Sequence, residues 1–439
     1  MEAAEMANKL RLLSKQANNR AQDSHDGSRH AVSTESTDVP VLLLGNGVTA
    51  VAATRCLARA GITVYCASDD DEYLRHCRWY LPVPGAIGPL VHTARLNDYL
   101  RTISLERAVV IPCADNWVIA AAEIAGDLRD RFATSLPSPE IVRRLIDKMT
   151  LGGLLKDLDI PHPRSMPVAG ENHLRSIFNE ISGTFFLKPR ESQRFFQKFG
   201  VKAFLVDNVD DALDKYRRIN AEGLGVILQE YIPGPPDDHY YVEGFVDRNG
   251  EFQAWFARRR IRIYPPVFGN STYMESVPLP MYHDAFAFAA IRHLMRATDY
   301  RGIFSAEFKK DERDFYYKLL EVNVRPWWYV EAPYRCGIDV VTMAYHDALG
   351  HDIKWSSHYT VGKRFYSPYY DWAACKEARK TGELGLGEWA RHWFKGSSIF
   401  FAWDDPMPTI YASRKLVTNR LRRMIGLNQR PKAEASKSG

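Results

Sequence analysis

One short stretch carries a carboxylate, an amide and a guanidinium in an order that suits metal and phosphate chemistry. Residues 316–330 read YYKLLEVNVRPWWYV, and Glu321, Asn323 and Arg325 take every second position in a run of strand formers. Alternate side chains of a β-strand share a face. One face therefore shows the three polar groups, and Leu320, Val322 and Val324 show apolar groups on the other. Upstream, IFSAEFKK, the polar turn DERD and FYYKLLEVNVR predict a hairpin over 303–325, which brings Glu307 to the face of Glu321 and Asn323. Two carboxylates and an amide oxygen are hard ligands, suited to magnesium (or manganese) holding a nucleotide's phosphates. No His or Cys joins the set, which argues against zinc. A solvated hairpin face with a Glu–Arg pair accounts for any one of these residues alone. The apolar flanks argue burial and favour ligation for the set.

The elements around this hairpin follow from periodicity and turn chemistry. Residues 1–38 are polar and read as a disordered tail. VPVLLLGNGVTAVAATRCLARAGITVYCAS then reads as strand, glycine turn, helix and strand, opening a parallel sheet. A third strand, RAVVIPCAD, leads into the helix NWVIAAAEIAGDL. Ser138 and Pro139 start a helix whose buried face is marked by Ile141, Val142, Leu145, Ile146 and Met149. After residue 183 strands dominate. The expected fold is α/β plus α+β: an N-terminal parallel α/β domain over 39–135, and a two-lobed body over 136–350 with lobes near 136–225 and 226–350. A C-terminal extension with a basic tail covers 351–439.

Composition excludes several classes. The chain has 439 residues, long enough for two or three domains. A net charge of +5, with 46% hydrophobic and 25% charged residues, gives no argument for nucleic acid. The six cysteines lack zinc-like spacing and suit reduced thiols in a cytoplasmic protein. No apolar run reaches the ~18 residues of a membrane span, and the N-terminus lacks a secretory segment.

AEFKKD…KLLEVNVRP resembles the magnesium-binding strands of the ATP-grasp superfamily, a Glu followed by Glu-x-Asn-x-Arg. Three upstream stretches match in the same order: DKMTLGGLLKDLDIPHP, GTFFLKPR and VILQEYIPG. The resemblance covers residues 41–350 and makes the 39–135 unit the domain that precedes the grasp. It is nearest to the D-aspartate ligase-like and carbamoyl-phosphate-synthetase-like branch, on ARRRIRIYPPVFGNSTYMESV and EVNVRPWW.

The resemblance implies roles. Lys148 and Lys188 would contact the α- and β-phosphates; Gln229, Glu230, Tyr231 and Ile232 would lie along the adenine, and Asp238 or His239 near the ribose. Glu307, Glu321 and Asn323 would hold the metal, and Arg325 would stabilise the charge developing in transfer. Arg258, Arg260 and Arg262 alternate on one strand and would meet the γ-phosphate or the substrate carboxylate; a basic solvated edge strand is the competing account. The segment after the lysine strand, RESQRFFQKFGVKAF, has one glycine where many relatives have a glycine-rich flap. Arg190, Arg194, Lys198 and Lys202 would then contact phosphate through side chains, or ATP binding would be weak.

GNGVTA, with Gly45 and Gly47 alone, is an incomplete dinucleotide fingerprint and reads as structural or substrate-side. The implied activity is an ATP-dependent carboxylate–amine ligase acting on small-molecule carboxylate and amine substrates. The rivals are a carbamoyl- or carboxy-phosphate synthetase and a non-catalytic nucleotide-binding regulatory module. An NAD-dependent oxidoreductase leaves the Glu307, Glu321 and Asn323 set unexplained. A homodimer is allowed. The basic tail reads as a solvated helix, with a weak membrane-surface contact as its alternative.

Overall fold

Four consecutive apolar residues, Val41–Leu44, form the central strand β1 and are buried throughout, the pattern of a parallel strand covered on both faces. The structure is a computed structural model describing residues 39–85, 92–181, 183–189, 195, 198–266, 269–279, 285–353, 358–380, 382 and 384–424. The tail at 1–38, Arg190 and Arg194 lie outside the described residues. With β2 (Val64–Ala67), β3 (Leu81–Pro82), β4 (Ala108–Pro112) and β5 (Phe132–Ala133), β1 makes a parallel sheet in the order β3-β2-β1-β4-β5. Strand order reverses between β1 and β4, so the turns leaving those strands face each other at one edge. Gly45 has φ +122, and a Cβ there would lie 3.4 Å from Cys113 and Trp117 of the neighbouring turn.

The helix entered at Pro139 ends sooner than its periodicity predicts. Ser138 caps it and accepts from the Ile141 N–H, but the helix stops at Ile146. Asp147 is extended, and its carboxylate accepts from the Met149 and Thr150 N–H groups. A new helix, Lys148–Asp157, starts there, so Met149 leaves the predicted face and Lys148 becomes the first residue of a helix.

The body has two antiparallel sheets. The smaller comprises β6 (Ser165–Pro167), β7 (Phe185–Pro189), β8 (Phe204–Val206) and β9 (Val226–Glu230), in the order β6-β9-β7-β8. One face packs on the helices Glu171–Glu180 and Val209–Asn220. The larger comprises β10 (His239–Val246), β11 (Phe252–Tyr264), β12 (Asn270–Ser276), β13 (Gly302–Lys310), β14 (Tyr317–Asn323), β15 (Arg364–Tyr366) and β16 (Gly396–Ser398). Its order is β14-β13-β10-β11-β12-β15-β16. Val242, Trp255, Phe304, Ala306 and Val322 form its apolar face against the helix Ala285–Ala297. The opposite face is polar around Glu307 and apolar further along, where Phe245, Phe256 and Ile303 join the core beneath the N-terminal domain. This is the expected α/β plus α+β architecture.

One detail differs from strict alternation. The β13–β14 pair shifts register between Glu307 and Phe308, and Phe308 opposes Leu319. Leu320 is the extra residue of this bulge, so Leu319, rather than Leu320, is buried beside Val322. Residues after 351 complete the large sheet: β15 pairs with β12, and β16 pairs with β15 in parallel.

Candidate active site

Glu307 and Glu321 stand directly opposite each other on β13 and β14, with Ser305 opposite Asn323 one pair further on. Glu307 is fixed from two sides. Arg260, on β11, donates to its Oε1 at 3.0 Å, and His239 Nδ1, on β10, lies 2.8 Å from the same oxygen. Arg260 also donates to Ser271 Oγ at 2.9 Å and to the Tyr241 hydroxyl. Burial raises the Glu307 carboxyl, but Arg260 and His239 outweigh it and hold the group well below the usual carboxylate range. Burial, with Arg260 beside it, pushes His239 down to about 4. His239 is therefore neutral at pH 7 and donates a hydrogen bond from its Nδ1–H to an ionised Glu307, fixing the carboxylate's orientation.

The lysines reach this acidic pair from the smaller sheet. Lys188 on β7 donates to Gln229 Oε1 on β9, and Gln229 Nε2 donates to Ser165 Oγ on β6 at 2.9 Å. Burial and the charge of Lys148 push Lys188 down to about 8, while Glu321 and Glu307 pull it up. Lys202 crosses to the large sheet and donates to Asn270 Oδ1 at 2.6 Å. It is pushed down by burial against the pull of Glu321 and Glu307, with Arg260 and Lys148 adding to the push. Lys188 and Lys202 thus both feel Glu307, Glu321 and Lys148, and Lys202 feels Arg260 as well.

Two facing antiparallel sheets behind a parallel α/β domain also occur in solved structures. N5-carboxyaminoimidazole ribonucleotide synthetase in complex with ADP aligns with a TM-score of 0.57 at 12% identity, over 74% of this chain and 80% of that one. The biotin carboxylase domain of Hydrogenobacter thermophilus 2-oxoglutarate carboxylase, with MgADP and bicarbonate, gives 0.57 at 15%, over 75% and 74%. The chain has the ATP-grasp fold. D-aspartate ligase of Enterococcus faecium (strain Aus0004) is 23% identical over 231 residues, 50% of this chain. The chain spans about half the length of that relative, 53%. No family model matches the chain.

The segment after β9 is tied down at several points. Glu230 accepts from the Arg164 N–H at 3.1 Å and pairs with Arg313 of the 311–314 turn at 2.8 Å, so its carboxylate serves the frame of the cleft. Tyr231 packs edge-on to Phe186 with Lys309 5.0 Å from its ring centre, and Ile232 is buried. Asp238 ends a short 3-10 turn, and its carboxyl is pushed up by burial and by Asp237. His239 is a buried strand residue on Glu307, outside any solvated loop.

The three alternating arginines do not stay together. Register shifts on both sides of Arg262 break the alternation. Arg262 leaves to form two 2.8 Å bonds with Asp371 of the C-terminal extension. Arg258 stays inward of Arg260, its guanidinium 3.5 Å from the Tyr241 ring centre. It pairs with Glu243 at 2.8 Å, and Ser305 Oγ donates to the same oxygen, Oε1, at 2.9 Å. Glu243 Oε2 and Arg258 Nη1 are buried with no protein partner among the described residues. Burial raises the Glu243 carboxyl to about 7. β11 is an interior strand and these arginines are buried, which removes the solvated-edge account.

Arg325 lies just beyond β14. Its Nε donates to Asp115 Oδ1 at 2.6 Å, and its Nη1 to the Pro326 carbonyl at 3.0 Å. Asp115 opens the helix after β4, at the edge where strand order reverses, so this ion pair joins the N-terminal domain to the cleft. Sequence reasoning missed Asp115; its one signal is its place at the carboxyl end of a parallel strand. Trp327 is buried beneath the N-terminal domain, and Trp328 stacks on Phe400 at 5.4 Å.

The donor set suits a phosphate-bridged cation. Among the described residues no group of three or more His, Cys, Asp or Glu side chains is placed to hold a metal ion by itself. Two carboxylates with an amide oxygen are what magnesium takes when nucleotide phosphates supply further ligands.

Proposed function

We propose that this chain is an ATP-dependent carboxylate–amine ligase. A substrate carboxylate oxygen attacks the γ-phosphorus of ATP, giving an acyl phosphate and ADP. An amine then attacks the acyl carbon, phosphate leaves with the acyl C–O bond, the amine proton is lost to water, and an amide forms. The observation that carries this reading is the pairing of Glu307 opposite Glu321, with Asn323 next along the strand, and both carboxylates acting on Lys188 and Lys202 of the smaller-sheet side.

Glu307, Glu321 and Asn323 would hold magnesium, or manganese, which when bound would supply charge neutralisation for the transferring phosphoryl group. Lys148 and Lys188 act on the phosphates as point charges, and Lys202 with Arg260 on the γ end. Gln229 fixes Lys188, while the backbone of residues 230–232 frames the adenine, with Asp238 on the ribose side. Arg325 stabilises charge as the acyl phosphate forms and collapses. Arg258, with its unpaired Nη1, takes the substrate's carboxylate end. The curated relative's name, D-aspartate ligase, supports an amino acid as one substrate. A carboxy-phosphate reaction is the second reading, supported by the bicarbonate named in the 2-oxoglutarate carboxylase structure.

Purified protein with ATP and magnesium, screened against amino acids singly and in pairs and against bicarbonate, tests both. A productive amino-acid pair releases ADP and phosphate. Turnover with bicarbonate alone supports the second reading; AMP and pyrophosphate contradict both. A thermal shift with ATP and magnesium but no turnover leaves a regulatory nucleotide-binding module.

A further inference from the structure

The C-terminal helix Met407–Met424 meets the body through Tyr411 and Lys415 among the described side chains. Tyr411 donates to Glu72 and stacks on His76 at 3.9 Å, and Lys415 pairs with Glu72. From Ser413 to Thr418 every residue is exposed, with Lys415 reaching back to Glu72. A single helix projecting into water is marginally stable without a surface to lie on.

Its composition says what that surface is. The helix carries Arg414, Lys415, Arg420, Arg422 and Arg423 and no Asp or Glu. Met407, Ile410, Leu416 and Val417 are exposed, and Trp403, four residues before the helix, is 90% exposed. A groove of about 480 Å³ runs between the helix and residues 72–76, lined by Met407, Ile410 and Tyr411 with Arg414 and Lys415 at its side. Of the nearby acids, Asp404 is engaged by Arg59 and Glu72 by Lys415 and Tyr411, while Asp70 also acts on Lys415. We propose that this helix, with the Trp403 loop, docks the protein on an anionic lipid surface.

Cations with exposed Leu, Val and Ile side chains and a neighbouring tryptophan suit the lipid headgroup boundary. Pairing with a second copy about a two-fold axis would bring like charges together, Arg414 and Lys415 among them. A nucleic-acid backbone would satisfy the arginines but leave Trp403, Leu416 and Val417 without an apolar partner. The proposal does not depend on the ligase reading.

The test uses the full chain with phosphatidylcholine vesicles, with and without about one third phosphatidylglycerol, in a flotation assay. The expected result is binding to the anionic vesicles alone, lost as salt rises. Trp403→Ala should weaken it, and Arg414→Glu with Val417→Glu should do so more strongly, by about fivefold for each unit of positive charge removed. All three positions are exposed, so an unchanged thermal midpoint is expected. No binding at low salt overturns the proposal, as does equal binding to neutral vesicles or indifference to these variants. A concentration-dependent dimer that needs the helix, or tighter binding to duplex DNA than to vesicles, also overturns it.

Discussion

Arg260 and Arg262 sit two residues apart on one strand and meet carboxylates in opposite ways. Arg262 holds Asp371 by two bonds, and Thr272, Trp389 and Trp393 donate to the same carboxylate at 3.0, 3.0 and 2.8 Å. Asp371 is fully buried and saturated, a joint between the large sheet and the C-terminal extension. Glu307, held by Arg260 and His239, keeps its side chain 21% exposed, faces Glu321, and feels Lys188 and Lys202 across a gap. The buried Arg55–Glu331–Asp405 cluster repeats the Asp371 pattern. A carboxylate that fastens the fold uses all its lone pairs, whereas one placed for chemistry keeps capacity towards open space.

Breaking each kind of carboxylate should give opposite signatures. The largest effect is expected for Glu321→Gln, on the open side. With a productive substrate pair, turnover should fall by about a thousandfold, the scale of removing a charge stabiliser from a reacting centre. The thermal midpoint without ligand should hold, and the shift on adding ATP with magnesium should shrink. Asp371→Ala should do the reverse: it leaves a buried Arg262 unpaired and should cost about 3–5 kcal/mol in denaturant unfolding, while the remaining folded protein keeps its affinity for ATP. If Asp371→Ala weakened ATP binding without destabilising the fold, the division between the two sites would be wrong.

Lys188 sharpens the comparison through pH. Its folded value of about 8 lies below the ordinary 10.5, so between those values the folded protein holds fewer protons than the unfolded chain. Stability should rise with pH across that window, as the cost of burying the charge disappears. ATP affinity should fall over the same window, by about tenfold per pH unit at most, because the phosphate-facing charge is lost. Lys188→Arg, which stays charged, should remove this pH dependence of ATP binding, measured by calorimetry. The smallest effect is expected for Asp115→Asn, which loosens Arg325: a severalfold fall in kcat with little change in ATP affinity, since Asp115 orients the proposed charge stabiliser.

The hairpin and its polar row were legible because alternation is a local signal: Glu307, Glu321 and Asn323 needed only a strand period and a short turn. The bulge at Leu320 was not, since one unpaired residue leaves no mark in composition. Helix periodicity carried Met149 into the wrong helix because the break at Asp147 depends on a capping carboxylate, not on apolar spacing. Arg262 could not be separated from Arg258 and Arg260 by sequence, because Asp371 lies 109 residues away. The Arg325–Asp115 pair spans 210 residues and became visible only when the two domains were placed together. The lysines were found by resemblance to a known pattern, while the networks that fix them are tertiary.

The central claim is that a substrate carboxylate takes phosphate from ATP at the Glu307–Glu321 cleft. Once a productive pair is known, turnover with the carboxylate labelled with oxygen-18 tests it most directly. An acyl phosphate sends one labelled oxygen into inorganic phosphate, read by mass spectrometry, and ADP stays unlabelled. Label in AMP, or phosphate free of label while the amide accumulates, would contradict the account.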